Sequence, residues 1–322
     1  MNVGNMPTDE KPSILVIGLV PEELRRALAE HFVLVDHIIE GPGALTAADA
    51  PRDTRVVVTR PVLGAPPEIM DLPDLELIIS FGVGTDKLDL EKAKERGIAV
   101  GITPDELTED VADFAIGLLY AAQRRIAEGD RFVRAGKWIG SRRFGTSRRV
   151  SSRAVGIIGM GKIGSRIAEK ARALGMNVGY HGRAAKPGVP GYVDSAVELA
   201  RQSDVLVLAC AASPETRHIV DAAVIEALGP QGIIVNIARG SVIDEEAMIA
   251  ALEAGAIAGA ALDVFENEPA IDPRFLTLDT VVLSAHAASA TEETRAAMVD
   301  RLVTDVLRHF AMVAIDGTAL PR

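Results

Sequence analysis

Short apolar runs alternate with amphipathic stretches along most of this chain. Residues 14–18 (ILVIG), 56–59 (VVVT) and 77–80 (LIIS) are unbroken apolar runs of the length of a strand buried on both faces. After the first run Pro21 opens a helix-like segment to about Phe32, and residues 89–96 carry a helical pattern that stops at Gly97. That alternation predicts a βα domain with a parallel sheet. A long helical pattern follows over 106–125, with Val111, Phe114, Ala115, Leu118 and Leu119 at its apolar positions, and connects to a second series. The second series begins at Ala154, with candidate strands at 154–158, 177–181, 205–209, 232–237, 258–264 and 281–285 and helical stretches between them. Six such strands match a doubly wound dinucleotide-binding domain. A last helix, 291–310, has no strand after it and is expected to return to the first domain. The expected fold is α/β, with two Rossmann-like domains built on parallel doubly wound sheets. Residues 1–106 and 289–322 would form a discontinuous, flavodoxin-like substrate domain, and 107–288 the cofactor domain.

Composition narrows the partners. A chain of 322 residues suits two domains. Its net charge of −11 weighs against nucleic acid and anionic membrane. The single cysteine, Cys210, leaves no intrachain disulfide and points to a reducing cytoplasm. Residues 1–12 are polar and broken by Gly and Pro, without the apolar core of a signal peptide, and no apolar run spans a membrane free of charges or turn residues. No further regulatory domain is expected after Arg322. The stretch 141–153, with five arginines, reads as an exposed connection. His31, His37, His181, His218 and His309 show no metal-ligand spacing, so no metal is expected.

The strand candidate 154–158 runs into Gly159, Met160, Gly161, Lys162, Ile163 and Gly164, a G-x-G-x-x-G turn with a helix directly after it. The first glycine permits a tight turn, the second lets backbone approach a pyrophosphate, and the third lets helix and strand pack closely. The next strand should end about 20 residues on, where NAD enzymes place an acid against the ribose hydroxyls. Here His181, Gly182 and Arg183 stand instead. No carboxylate repels a 2′-phosphate, and a guanidinium can bind one through two hydrogen bonds. NADP(H) is therefore the expected cofactor, with NAD(H) the alternative.

Three ionisable residues follow three consecutive strand candidates: Arg239 after 232–237, Glu268 after 258–264, and His286 after 281–285. In open α/β sheets that edge faces the ligand crevice. Each alone has an ordinary structural reading, as a salt-bridge donor, a solvated acid and a packed histidine. Together, beside a dinucleotide turn, they suit hydride reduction of a 2-keto acid. A guanidinium holds and polarises the substrate, an imidazole protonates the carbonyl oxygen, and a carboxylate orients the imidazole.

With these motifs in order, the chain resembles the D-2-hydroxyacid dehydrogenase family, nearest its glyoxylate/hydroxypyruvate and hydroxyphenylpyruvate reductase branch. The matching segments are 80–86, 108–113, 156–164, 235–241, 261–269 and 286–291, and the resemblance spans nearly the whole chain. It implies NADPH-dependent reduction of a small 2-keto acid to the D-2-hydroxy acid. Arg239 would bind substrate, Glu268 would pair with His286, and His286 would be the acid/base. Backbone N–H groups of Val83 and Gly84 would take the substrate carboxylate. Asp263 would bond the nicotinamide carboxamide, Thr108 would line the nicotinamide pocket, and Ile237, Ala238 and Ala288 would also meet the cofactor. The family's members are usually homodimers built through the cofactor domains. Two departures concern the substrate: Ala288 stands where the family often has glycine, and Arg60-Pro61 replaces a more common glycine-containing turn. Arg60 reads as a surface charge or as a second carboxylate ligand. The alternatives are an NAD-dependent dehydrogenase of another 2-hydroxy acid, or a dinucleotide-sensing scaffold without turnover.

Overall fold

The computed structural model describes residues 11–37 and 50–310. Most of the N-terminal segment weighed above, residues 1–10, lies outside the described residues, as do 38–49 and 311–322. The chain divides into two compact units, Met1–Leu107 with Thr291–Arg322, and Thr108–Ala290.

The first unit runs β1 (Ser13–Ile17), α1 (Glu22–Ala29), β2 (Val33–His37), β3 (Val56–Thr59), α2 (Pro67–Met70), β4 (Leu77–Ser80), α3 (Leu90–Arg96) and β5 (Ala99–Gly101). Its strands form one parallel sheet in the order β2-β1-β3-β4-β5. Every residue of β3 and β4 is buried, as the unbroken apolar runs require of central strands. On α1, Leu24 and Leu28 are one turn apart and both buried. Asp89 caps α3 by accepting the Lys92 N–H at 2.9 Å, and Gly97 ends it at φ 70°. Two strands were not legible in the pattern. β2 is a partly exposed edge strand, and β5 has only three residues.

The second unit opens with α4 (Thr108–Gln123) and α5 (Ile126–Arg134) and continues β6 (Ala154–Ile158), α6 (Lys162–Ala173), β7 (Asn177–His181), α7 (Ala196–Arg201), β8 (Val205–Leu208), α8 (Ala222–Leu228), β9 (Ile233–Asn236), α9 (Glu245–Glu253), β10 (Gly259–Leu262) and β11 (Val281–Leu283). All six strands are parallel, in the order β11-β10-β9-β8-β6-β7. One face of the sheet packs Leu206, Ile234 and Ala260 against Val224 and Ile225 of α8 and Met248 and Ile249 of α9. On the other face α4 lies beside α6, tied by Lys170 to Glu109 at 2.9 Å and to Asp113 at 2.7 Å. α5 was not anticipated. Arg125 takes a left-handed φ of 53°, which breaks the long helix, and the chain starts a second one in which no residue is buried. After β11 the chain returns to the first unit as α10 (Glu292–His309), which packs on α1 and β4 through buried Met298, Leu302 and Val306.

In both sheets the first strand of the series lies between the second and the third. The order reverses there, and in open α/β sheets the carboxyl edge at such a reversal is where ligands generally bind. The strand candidates 232–237, 258–264 and 281–285 prove shorter, and the residues trimmed from their ends form the loops described next.

Candidate active site

β6 hands the chain to Gly159, whose φ of 98° is open to glycine but rarely to other residues. A Cβ on Gly159 would stand 2.5 Å from the Cys210 backbone, and one on Gly164 would stand 1.9 Å from the Gly159 carbonyl oxygen. The protein itself fills the space at those two positions. At Gly161, which caps α6, no atom lies within 4 Å of where a Cβ would be. The first turn of α6 has no acidic residue and begins with Lys162. A helix N-terminus with no acid in its first turn and open space at Gly161 fits a pyrophosphate. Met160 is buried beneath the turn, Ile163 is half-buried and Lys162 is exposed. Burial pushes the Cys210 thiol up to about 11, so at neutral pH it stays protonated and serves as a packing residue.

β7 ends at His181, whose carbonyl accepts the Gly159 N–H at 2.9 Å and whose Nδ1 lies 2.9 Å from the Val193 carbonyl oxygen. His181 thus helps build the turn. Gly182 faces open space and Arg183 is exposed. After β8, Ser213 caps the short helical turn Pro214–Thr216. The Ser213 hydroxyl first, and the Arg183 charge more weakly, hold the Glu215 carboxyl below its ordinary value.

The three ionisable residues stand at the ends of β9, β10 and β11. Asn236, 1 % exposed, folds the first of these turns. Its amide donates to the Arg239 carbonyl at 2.9 Å, and its side-chain oxygen accepts the Ala238 N–H at 3.0 Å. Ile237 and Ala238 are buried in that turn, and Arg239 Nη1 donates to the Ala238 carbonyl at 2.8 Å. Gly240 then presses on the next loop, where a Cβ would stand 1.9 Å from the Phe265 carbonyl carbon. That loop is tacked down twice: Phe265 N–H donates to Glu268 Oε1 at 2.9 Å, and Glu266 N–H to Glu245 Oε2 at 3.0 Å.

Glu268 Oε2 lies 2.7 Å from His286 Nδ1. Burial raises the Glu268 carboxyl, but the His286 and Phe265 hydrogen bonds, with the charges of His286 and Arg239, bring it below its ordinary value. An ionised Glu268 therefore accepts from Nδ1–H and leaves Nε2 as the ring nitrogen for a substrate oxygen. The side chains of His286 and Glu268 are 36 % and 22 % exposed, so the pair is open to a ligand. Asp263 is 1 % exposed, and its carboxylate accepts the N–H groups of Ala287 and Ala288. Ala288 is buried without a positive φ, so its methyl strains no backbone where glycine is more common. The sequence did not show how these turns are held: Asn236 bonds backbone atoms of its own turn, while Gly240 and Glu245 meet the backbone of the loop after β10. Among the described residues, no group of three or more His, Cys, Asp or Glu side chains could hold a metal ion.

Arg60, Val83 and Gly84 belong to the first unit. Gly82, at φ 152°, lies where a Cβ would be 2.5 Å from Pro61 Cγ, so the turn after β4 packs on the turn after β3. Val83 and Gly84 are half-buried in that turn. Arg60 is exposed and forms no ion pair among the described residues. Thr108 is the first residue of α4, in the second unit.

Comparison with known proteins agrees with this arrangement. Residues 116–288 match the family model described as D-isomer specific 2-hydroxyacid dehydrogenase, NAD binding domain. A glyoxylate/hydroxypyruvate reductase A of Arabidopsis thaliana is 48 % identical over 80 % of this chain and 82 % of its own length. A hydroxyphenylpyruvate reductase of Plectranthus scutellarioides is 47 % identical over 80 % of this chain and 82 % of its own length. Among solved structures, an NADPH-dependent glyoxylate/hydroxypyruvate reductase from Sinorhizobium meliloti, in complex with NADP and malonate, superposes with a TM-score of 0.86 at 38 % identity, covering 97 % of this chain and 96 % of that one. With its parallel sheets, its glycine turn and its paired histidine and glutamate, the chain belongs to the D-isomer-specific 2-hydroxyacid dehydrogenase family and is an NAD(P)-dependent oxidoreductase.

Proposed function

We propose that the protein reduces a small 2-keto acid, such as glyoxylate or hydroxypyruvate, to the D-2-hydroxy acid with NADPH, and that His286 is the proton donor. The observation that carries this reading is the 2.7 Å contact between His286 Nδ1 and Glu268 at the carboxyl edge of a dinucleotide-type sheet. When bound, the reduced nicotinamide supplies the hydride for the carbonyl carbon. Arg239 holds the keto acid and draws electron density toward its oxygen. Val83 and Gly84 take its carboxylate through backbone N–H groups. Glu268 fixes the ring so that Nε2 delivers its proton to the carbonyl oxygen. The turn 159–164 holds the pyrophosphate and Arg183 the 2′-phosphate. Asp263, Thr108, His181, Gly182, Ile237, Ala238 and Ala288 complete the proposed cofactor contacts, and Arg60 is the second candidate for a substrate carboxylate.

A second reading, use of NADH, draws support from Glu215. Its carboxylate lies within the field of Arg183 and supplies negative charge that the end of β7 lacks. We also propose a cytoplasmic homodimer built through the second unit. In its support, Ile126, Val133, Trp138 and Ile139 are 57, 52, 60 and 68 % exposed on a stretch rich in arginine. Size-exclusion chromatography with light scattering gives twice the chain mass if this holds and the chain mass if it does not. No helix among the described residues is long and apolar enough to cross a membrane.

Steady-state oxidation of NADPH and NADH with glyoxylate, hydroxypyruvate and hydroxyphenylpyruvate tests the reaction. Turnover with at least one acid is expected, and His286→Ala should lower kcat roughly 100-fold or more with little change in NADPH affinity. Binding of NADPH with negligible turnover of any acid would point to a sensor instead.

A further inference from the structure

We infer that Tyr180 is a positioning residue for cofactor choice: its hydroxyl pins the loop 182–191, so that Lys186 joins Arg183 as a second cation for the 2′-phosphate. This role rests on the NADPH preference proposed above and extends it to two further residues. Tyr180 lies on β7, the edge strand beside β6 and its glycine turn, and is fully buried. A buried phenol needs a polar partner, and the Tyr180 hydroxyl accepts the Lys186 N–H at 2.7 Å. The Val189 N–H donates to the Lys186 carbonyl at 3.1 Å. Both backbone groups of Lys186 are therefore held while its side chain is exposed.

The loop is also closed at its base. Tyr180 N–H donates to the Gly191 carbonyl at 2.7 Å, Val193 N–H donates to the Tyr180 carbonyl at 2.8 Å, and the rings of Tyr180 and Tyr192 lie 5.5 Å apart. Gly191 sits at φ 92°, where a Cβ would stand 2.5 Å from the Val178 carbonyl oxygen, so the chain returns flush against β7. Between these ties residues 183–188 are exposed. The stretch 182–193 contains no carboxylate, and its cations are Arg183 and Lys186. A guanidinium can take a phosphate through two hydrogen bonds, and an ammonium adds a point charge. A loop ordered beforehand loses little freedom when its cations grip that phosphate. NADH offers a ribose hydroxyl there, without the charge that the two cations would grip.

Tyr180→Phe in the full chain keeps the ring and removes the pin. Titration calorimetry with 2′-AMP and 5′-AMP reads the subsite without turnover. Tyr180→Phe should weaken 2′-AMP about fivefold, the loss of one hydrogen bond, and Lys186→Ala about tenfold, the loss of one phosphate contact, with 5′-AMP unchanged in both. In the double variant the combined loss should be smaller than the product of the two, since both act on one loop. The KM for NADPH should rise in step with the 2′-AMP Kd, while kcat and the KM for NADH stay within about twofold. A merely structural role would weaken both nucleotides alike. That result, or 2′-AMP binding unchanged in either variant, would overturn the inference. Should Tyr180→Phe fail to fold, amide hydrogen exchange in the wild type decides the matter. The Lys186 N–H should exchange at least ~10-fold slower than an unprotected amide, and an unprotected rate would overturn the pin. If the wild type binds 2′-AMP no better than 5′-AMP, the NADPH preference falls and this role with it. If it binds 2′-AMP better and Tyr180→Phe changes nothing, only the role of Tyr180 falls.

Discussion

Both sheets place their first strand between the second and third, and in both a glycine of positive φ ends that strand: Gly18 at 70° and Gly159 at 98°. Beyond the glycine the two units part. In the first unit Leu63 fills the turn, with its Cδ1 2.2 Å from where a Gly18 Cβ would lie. The helix after it, α1, carries Glu22 and Glu23 in its first turn, which repel an anion. In the second unit the turn at Gly161 is open, and α6 begins with Lys162 and no acid. The same strand order thus yields a packed corner in one unit and an open turn without acidic residues in the other. Topology sets where a ligand can bind, and the side chains around one turn decide whether it does.

The sharpest way to break this contrast is to fill the open turn. Gly161→Val should raise the NADPH Kd roughly 100-fold or more, the loss of several phosphate hydrogen bonds, with Tm little changed because nothing crowds that position. A large fall in Tm with Kd intact would mean the space at Gly161 is not for a ligand. Next in size, Arg183→Ala should raise the KM for NADPH about tenfold while leaving that for NADH nearly unchanged. Equal effects on both would remove the 2′-phosphate role. The mirror substitution in the first unit, Gly18→Ala, should cost about 1–2 kcal/mol of stability in denaturant unfolding, from strain at positive φ and the clash with Leu63. It should leave both cofactor constants unchanged, and a shift in either would mean the packed corner also serves the cofactor.

The smallest effect concerns pH. The Glu268 carboxyl is lowered in the folded state, so its contribution to stability is present above its unfolded value and is lost as pH falls through the lowered folded value. The stability difference between wild type and Glu268→Gln should therefore hold from pH 7 down to about 4.3, the ordinary carboxylate value, and shrink only below it. A difference that disappears by pH 6 would contradict the ionised pair.

Much of this was legible in the chain. The α/β class and the parallel sheets followed from apolar runs such as 56–59 and 77–80, which have the length and continuity of central strands, and the returning C-terminal helix from a helical stretch with no strand after it. Edge strand β2 was not, because a half-exposed strand such as VLVDH lacks that continuity. α5 was hidden because the left-handed turn at Arg125 has no sequence signature. In the candidate site, Arg239, Glu268 and His286 could be named because each follows a strand candidate. The bonds that hold them could not. Asn236 acts on backbone groups of its own turn, Glu245 and Asp263 on backbone N–H groups of neighbouring turns, and nothing in a pattern of residue types records where a backbone N–H points.

The neutral, tucked-away thiol of Cys210 has a practical consequence. It is the chain's only sulfhydryl and should react slowly with maleimides at neutral pH, so the native sequence already serves as a quiet background for site-selective labelling. A single cysteine introduced on either unit would carry a dye or spin label alone, without first removing the resident one.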